Sequence, residues 1–415
     1  MRRGIPSFQV FLASALLCAG PTLAKSRVDG FSPYPRRAPP EDRQAVLDGN
    51  LAFALDLDGQ LRREPGNRVF SPLSVSAVVA MLAAGAQGET REQLASTLHL
   101  DLTAGALDRA MQSVLAGLGP GAGSTVQLDV ANGLWTDRRL PVRRGFVRSL
   151  RSRYGALAGS LDFALDPEVA REEINRWGSR MTHDLIPEVL HPGAVDSQTA
   201  FIVANAVYFG GKWAEPFLLD TTQTYPFARA EGSEVDIPLM HVRGTFGALM
   251  RPGFVAVDFP YEGEEYSMTI LVPETPDGLP VLEQAMTPST FAGWVENLSP
   301  EYLMVFLPRF EITSDLDLIE PMLSLGATDA FDPDRADFSG VAGSPGDIYL
   351  YLLRQQARIR VTEEGTEAAA VTVGGGLAFS FEPTPLVVDR PFLFVLRHRP
   401  TGTILFLGRV EDPSQ

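Results

Sequence analysis

VTEEGTEAAAVTVGGGLAFSFEPTPLVVDRP, residues 361–391, is the stretch that does not behave like core. Glu363 to Val373 alone suits a helix, since Glu and Ala favour one. Its even positions, Thr366, Ala368, Ala370 and Thr372, are all small, whereas Glu367, Ala369, Val371 and Val373 between them are charged or of modest size. That alternation equally suits a strand whose small face slides into a crowded interior. Gly365 stands where such a strand would swing. Three glycines (374–376) follow, then Leu377, Ala378, Phe379, Ser380 and Phe381, then prolines at 383 and 385. Loops run over the surface, and bulky apolar groups displayed there serve recognition.

The surrounding chain excludes several functions. At 415 residues, length alone allows two or three domains. Lys+Arg 35 against Asp+Glu 51 gives a net charge of −16, so the chain repels phosphate backbones and anionic lipid, and neither nucleic acid nor a membrane is an expected partner. No apolar run reaches the roughly 18–20 residues that span a bilayer. The single cysteine, Cys18, rules out an internal disulfide and any multi-cysteine metal site. His99, His183, His191, His241 and His398 form no HExxH pair, and no GxSxG elbow occurs. DLDG (56–59) and DPDRAD (332–337) fail the oxygen spacing of a calcium loop, and GLGPGAGS (117–124) lacks the Lys-Ser/Thr ending of a phosphate loop. No cofactor, no metal and no enzymatic activity are expected.

Residues 1–24 read as an export signal: Arg2 and Arg3 open it, Val10 to Cys18 form its apolar core, and Thr22-Leu23-Ala24 offer small residues for cleavage. The expected location is secreted or periplasmic. Leu17 before Cys18 fits a lipid-anchor site poorly. Residues 25–42 are polar and proline-rich and read as a tether, and 43–415 as one domain. Within it, Ser71-Pro72 starts a helix that is apolar nearly all round and therefore buried. Glu89–Leu100 reads as a further short helix. Strands are expected at Val126–Trp135, Ala200–Phe209, Phe254–Phe259, Ser267–Val272 and Tyr302–Pro308, and helices near 142–156, 167–181, 280–297 and 314–325. Strands and helices mix without a βαβ rhythm, which points to an α+β fold.

NRVFSPLS (67–74), GAQGET (85–90), ANAVYFGGKW (204–213) with Pro216-Phe217, LPRF (307–310), ADFSG (336–340), EEGTEAAA (363–370) and DRPFLF (389–394) occur in an order and spacing that resemble one family, the serpins. The resemblance covers nearly all of 43–415 and suggests an exported, bacterial-type member. It implies three β-sheets, about nine helices and an exposed reactive loop at about 363–388. It also implies an irreversible inhibitor of serine proteases: the protease attacks the loop, and the cleaved loop inserts into the central sheet before the acyl-enzyme can hydrolyse. Glu363, Gly365, Thr366, Glu367, Ala368, Ala369 and Ala370 then form the hinge. Counting from Gly365 places the reactive bond at Phe379–Ser380, with Ser380 or Phe381 as the alternative anchor. An aromatic anchor implies a chymotrypsin-like target, with cathepsin-G-like and subtilisin-like enzymes as further candidates, held in a covalent complex with a monomeric inhibitor. Ser71, Ser74, Asn205 and Gln355 fall at the family's sheet-opening cluster, although helix capping and a satisfied core amide explain the first three equally well. Gln355-Gln356 stand where a His-Lys pair is common; a glutamine amide can still hydrogen-bond Asn205 but cannot titrate. The alternative within the family is a non-inhibitory binding or carrier protein, which Gly374–Gly376 favour because glycine weakens a strand.

Overall fold

The computed structural model describes residues 38–119, 125–366 and 382–415. Its helices begin where local chemistry sets them. α1 (Pro40–Leu61) starts at a proline with Glu41 and Asp42 in its first turn, as a helix N-terminus favours. The helix thereby takes Pro40, Glu41 and Asp42 from the end of the segment read as tether. After β1 (Arg68–Phe70), α2 (Pro72–Gly85) is capped by Ser71, whose hydroxyl accepts the Ser74 N–H, and every residue of it but Ala84 is buried. α3 (Gly88–Thr97) and α4 (Ala104–Ala116) complete the first helical layer.

β2 (Gln127–Asp137), α5 (Arg144–Tyr154), β3 (Leu157–Leu161), α6 (Pro167–Met181) and β4 (Phe201–Lys212) follow. Then come β5 (Gln223–Ala228), the 18-residue β6 (Glu234–Arg251), β7 (Phe254–Pro260) and β8 (Tyr266–Pro273). α7 (Leu279–Ala285) and α8 (Pro288–Glu296) divide the single helix expected near 280–297, because Thr287 forms a capping box with Thr290 ahead of Pro288. β9 (Ser299–Pro308), β10 (Phe310–Asp317), α9 (Ile319–Ser324), β11 (Arg354–Val361) and β12 (Gly365–Thr366) come next, and β13 (Thr384–Val387), β14 (Phe392–His398) and β15 (Ile404–Val410) close the chain. The helix expected over 314–325 is strand up to Asp317. Phe310, Ile312 and Ser314 are buried at every second position, and eight residues of β10 pair with β11.

Among the described residues there are nine α-helices, a six-stranded central sheet and a nine-stranded array that β6 divides into two further sheets, three in all. The central sheet runs β10-β11-β12-β4-β2-β3. The other two share β6, whose C-terminal part joins the run β7-β8-β14-β15-β1 and whose earlier residues pair with β5 and with β9, beside which lies β13. One apolar core fills the space around α2, and a smaller one beneath α6 centres on Trp135 and Trp177, whose rings meet edge to face at 4.9 Å. The fold is a single α+β domain.

Candidate functional site

The central sheet is not continuously bonded. β4 and β11 flank its middle, yet among the described residues no ladder joins them. Only the two-residue β12 stands between them, Thr366 opposite Val361 on one side, Gly365 and Thr366 opposite Lys212 and Gly211 on the other. Below β12 lies a cavity of about 260 Å³ lined by residues of β4, of β11 and of the segment after α6, including Ile186 and Leu190. The described residues of the sheet therefore leave a slot one strand wide, which they fill only at its top.

Of the expected hinge residues, Gly365 and Thr366 fill that top, and the segment from Thr362 to Thr366 is held by specific contacts. Gly365 has φ +153°, and a Cβ there would lie 2.0 Å from the Gly211 carbonyl oxygen, so no other residue fits. Thr366 is 1% exposed and shares a 2.7 Å hydroxyl hydrogen bond with Tyr261, whose ring stacks on Trp213 at 4.5 Å. Trp213 donates its backbone N–H to Glu364 O and its indole N–H to Thr362 O, both at 3.0 Å. Glu363 is buried, paired with Arg309 and bonded by the Thr222 hydroxyl at 2.6 Å. Burial pushes its carboxyl up, but the Arg309 guanidinium and the Thr222 hydroxyl outweigh that and hold it below the usual carboxylate range.

The expected sheet-opening residues come together at the floor of the slot, with one correction. Ser74 donates its hydroxyl hydrogen to Asn205 Oδ1. Gln355 does not bond Asn205. Its amide instead clasps the Ser71 backbone in both directions, accepting the N–H at 2.9 Å and donating to the carbonyl at 3.0 Å. Asn205 turns the other way and donates to Asn132 at 2.7 Å, and Asn132 donates to Tyr154 O at the end of α5. Gln355 thus ties α2 to β11, while Asn205 ties α2 through β4 to β2. Sequence reading missed Asn132, Arg309 and Tyr261. Arg309 lay inside a quoted motif, but nothing local pairs it with a glutamate 54 residues on.

Thr366 and Thr384 anchor the two ends of the loop in different sheets: β12 in the central one, β13 parallel to β9 with Thr384 opposite Leu303. Glu367, Ala368, Ala369, Ala370, Phe379 and Ser380 lie outside the described residues, as does the export signal.

Among the described residues, the α+β domain leaves the strand position between β4 and β11 filled by Gly365 and Thr366 alone, with the space of a further strand below them. The family model described as "Serpin (serine protease inhibitor)" matches residues 48–413. The chain is 36% identical to leukocyte elastase inhibitor A of Mus musculus over 383 residues, 89% of this chain and all of that one. Among solved structures it is similar to Serpin48 of the insect Tenebrio molitor, with a TM-score of 0.79 and 28% identity, covering 89% of this chain and 98% of that one. A thyroxine-binding globulin in complex with thyroxine matches with the same TM-score at 25% identity, over 90% of this chain and 99% of that one. The chain belongs to the serpin family.

Proposed function

We propose that the protein is an irreversible inhibitor of serine proteases that traps the acyl-enzyme by inserting its cleaved loop between β4 and β11. The observation that carries this reading is the strand position between β4 and β11, which among the described residues only Gly365 and Thr366 occupy. Thr366 points inward in β12, so a strand continued in the same register turns Ala368, Ala370 and Thr372 to the same inner face, where only small side chains fit. Cleavage supplies the trigger: while the loop is intact, β13 holds its far end against β9, and once cut the hinge side is free.

The energy is adequate. Insertion adds on the order of ten ladder hydrogen bonds at ~0.5–1.5 kcal/mol each, or ~5–15 kcal/mol. That matches the whole stability of an ordinary domain, ~5–15 kcal/mol, so dragging a protease against the fold can distort its catalytic site. Deacylation requires an intact triad and oxyanion hole, so the ester persists.

Phe379 is the proposed anchor for the protease's specificity pocket and Ser380 the residue beyond the cut. An aromatic anchor fits a hydrophobic slot and cannot pair with the buried acid of a trypsin-like pocket. A chymotrypsin-like target follows, in line with the elastase in the name of the mouse relative. Residues 1–24 support export, to the outside of the cell or a periplasm. That leader is the only basis for a bacterial-type member, the mouse and insect relatives above being animal proteins.

Incubation with chymotrypsin tests the reading: a covalent complex that survives detergent, with release of the segment beginning at Ser380, is expected. Turnover of the chain into cleaved product without complex, for every serine protease tried, overturns it. The carrier reading draws on Gly374–Gly376 and on the thyroxine-binding relative. It makes the opposite forecast for heat: nicking the loop leaves the melting temperature unchanged, whereas insertion raises it sharply.

A further inference from the structure

We propose that Tyr351 is a crossbar at the lower end of the slot and sets how readily loop insertion runs to completion; this rests on the inhibitory reading above. Residues 347–353 lead into β11 and residues 196–200 into β4, and members of both segments line the 260 Å³ cavity. Ile348 and Leu350 are buried, whereas Tyr349 and Tyr351 face outward at 44% and 41% exposure, the period of an extended chain. The Tyr351 hydroxyl lies 2.6 Å from Thr199 Oγ1 and donates to the Ala194 carbonyl at 3.0 Å. One side chain thus joins three segments: the approach to β11, the approach to β4 and the stretch after α6 that crosses the sheet. Among the described residues no ladder joins the two flanks, so here a side chain does what backbone pairing does not.

The far end of the crossbar is set by its own turn. Thr199 is 1% exposed, and its hydroxyl accepts the Asp196 N–H at 3.0 Å, while Asp196 Oδ1 accepts the Gln198 and Thr199 N–H groups at 2.9 Å each. The same Oδ1 lies 3.1 Å from Thr199 Oγ1. Both hydroxyl hydrogens therefore find acceptors in either arrangement. Tyr351 donates to Ala194 O and accepts from Thr199, or it donates to Thr199, which donates to Asp196. Burial raises the Tyr351 hydroxyl above the usual phenol range, and the Asp196 carboxylate and Tyr349 add to this against the Thr199 bond. The hydroxyl keeps its proton at neutral pH.

The crossbar lies on the path of the inserting strand. Thr366 stands opposite Gly211 on one flank and Val361 on the other. Both ladders are antiparallel, so each residue further along a strand continued from β12 falls one residue earlier on each flank. Residue 376 then comes opposite Phe201 and Tyr351, and residue 378 opposite Thr199 and Tyr349. Most of the strand can enter above the crossbar, but the last residues before the proposed Phe379 anchor cannot pass while it is closed. The same register brings Gly374, Gly375 and Gly376 opposite Leu353, Leu352 and Tyr351. A strand without side chains needs the least room beside a tyrosine, so the three glycines suit insertion and not the carrier reading alone.

The test compares wild type, Tyr351→Phe, which loses only the hydroxyl, and the control Tyr349→Phe, whose hydroxyl makes no hydrogen bond among the described residues. Each protein is titrated against the serine protease for which wild type divides most evenly between covalent complex and cleaved chain. Each is also melted uncut and after its loop has been nicked by a metalloprotease, which forms no acyl-enzyme. Removing two hydrogen bonds from the crossbar should speed completion roughly tenfold, so Tyr351→Phe raises the ratio of complex to cleaved chain by up to that factor. Its uncut form should melt about 1–3 °C lower, and its nicked form should melt with wild type because the crossbar is already open there. Tyr349→Phe should match wild type throughout. A residue that only packs would lower both melts together and leave the ratio unchanged; that result overturns the proposal, as does a Tyr351→Phe protein indistinguishable from wild type. The wild-type arm separates this failure from the larger one. If wild type gives no complex with any serine protease and nicking leaves its melting temperature unchanged, the inhibitory reading fails and the crossbar falls with it.

Discussion

Thr366→Arg places a guanidinium where the slot has no room for one. Thr366 is 1% exposed, its hydroxyl already bonded to Tyr261, which stacks on Trp213 and meets Phe209 edge to face at 4.8 Å. The cavity beside it measures about 10 Å³, enough for at most one water. An unpaired ion taken into such a site costs several kcal/mol even after relaxation. If ~3 kcal/mol of that falls on the insertion step, insertion slows roughly 150-fold. Trapping is a race between insertion and deacylation, so a delay of that size turns an inhibitor into a substrate. The assay is titration of chymotrypsin activity against added chain, with gel separation of complex and cleaved product. Wild type should give mainly complex, Thr366→Arg mainly cleaved chain. Thr366→Val keeps the shape and orphans only the Tyr261 hydroxyl, a cost of ~1–3 kcal/mol to the uncut fold, and should still form complex. An undiminished yield of complex from Thr366→Arg would show that the hinge does not enter the sheet with this residue inward, and the argument from the slot would fall.

Gln355→Ala leaves the buried Ser71 N–H and carbonyl without their partner and should destabilise the uncut protein by ~2 kcal/mol, read as a lower thermal midpoint and faster loss of inhibitory activity on storage. Glu363 has its carboxyl held below the usual range, so its contribution is complete above the unfolded carboxylate value near 4.5 and is lost as pH falls through the lower folded value. Hydrogen exchange at the Trp213 and Phe217 amides, which donate to Glu364 O and Glu363 O, should accelerate in that acid range beyond its intrinsic pH dependence. Glu363→Gln should exchange faster at neutral pH and lose this extra acceleration; identical profiles for the two proteins would remove the latch. Phe379→Arg should shift complex formation from chymotrypsin towards trypsin, and an unchanged preference would place the reactive bond elsewhere.

Much of this architecture was legible before the structure because its determinants are local. Ser71-Pro72 announces a capped helix start, and the apolar run after it announces burial. What stayed hidden depends on partners far away in sequence. Leu316, Ile319 and Leu323 recur at helical spacing while Leu316 and Leu318 alternate as in a strand, and the pairing of β10 with β11 some forty residues later decides for strand up to Asp317. Asn205 is one partner open to a glutamine amide in this cluster, but Gln355 takes another. The Ser71 N–H and carbonyl present a matched donor and acceptor to a side-chain amide, and a two-way pair outcompetes a single contact. Arg309 and Glu363 are each ordinary in isolation; only the meeting of the β9–β10 turn with the hinge makes them a buried pair.

The slot is closed on three sides by contacts that differ in kind, which explains how a fold can be poised without being unstable. At the top, Gly365 and Thr366 occupy the strand position and Glu363 is latched to Arg309. At the floor, α2 joins the two flanks through Gln355 and Ser74. Across the face, the segment after α6 reaches over to the far strands: Arg171 of α6 holds Glu188, His191 pairs with Asp315 of β10, Arg354 of β11 shares that aspartate, and Arg358 donates to Leu185 O. His191 and Asp315 are each about a third exposed, and such pairs contribute at most ~1 kcal/mol. The floor contacts are one hydrogen bond at Ser74 and a pair at Gln355, worth ~0.5–1.5 kcal/mol per bond. No one closure rivals the ladder energy waiting in the slot, yet all of them must yield before a strand can pass. Cutting the loop does not weaken any of these closures. It removes the tether to β9, and the advancing strand then meets them one at a time, each offset by the ladder bonds formed just behind it.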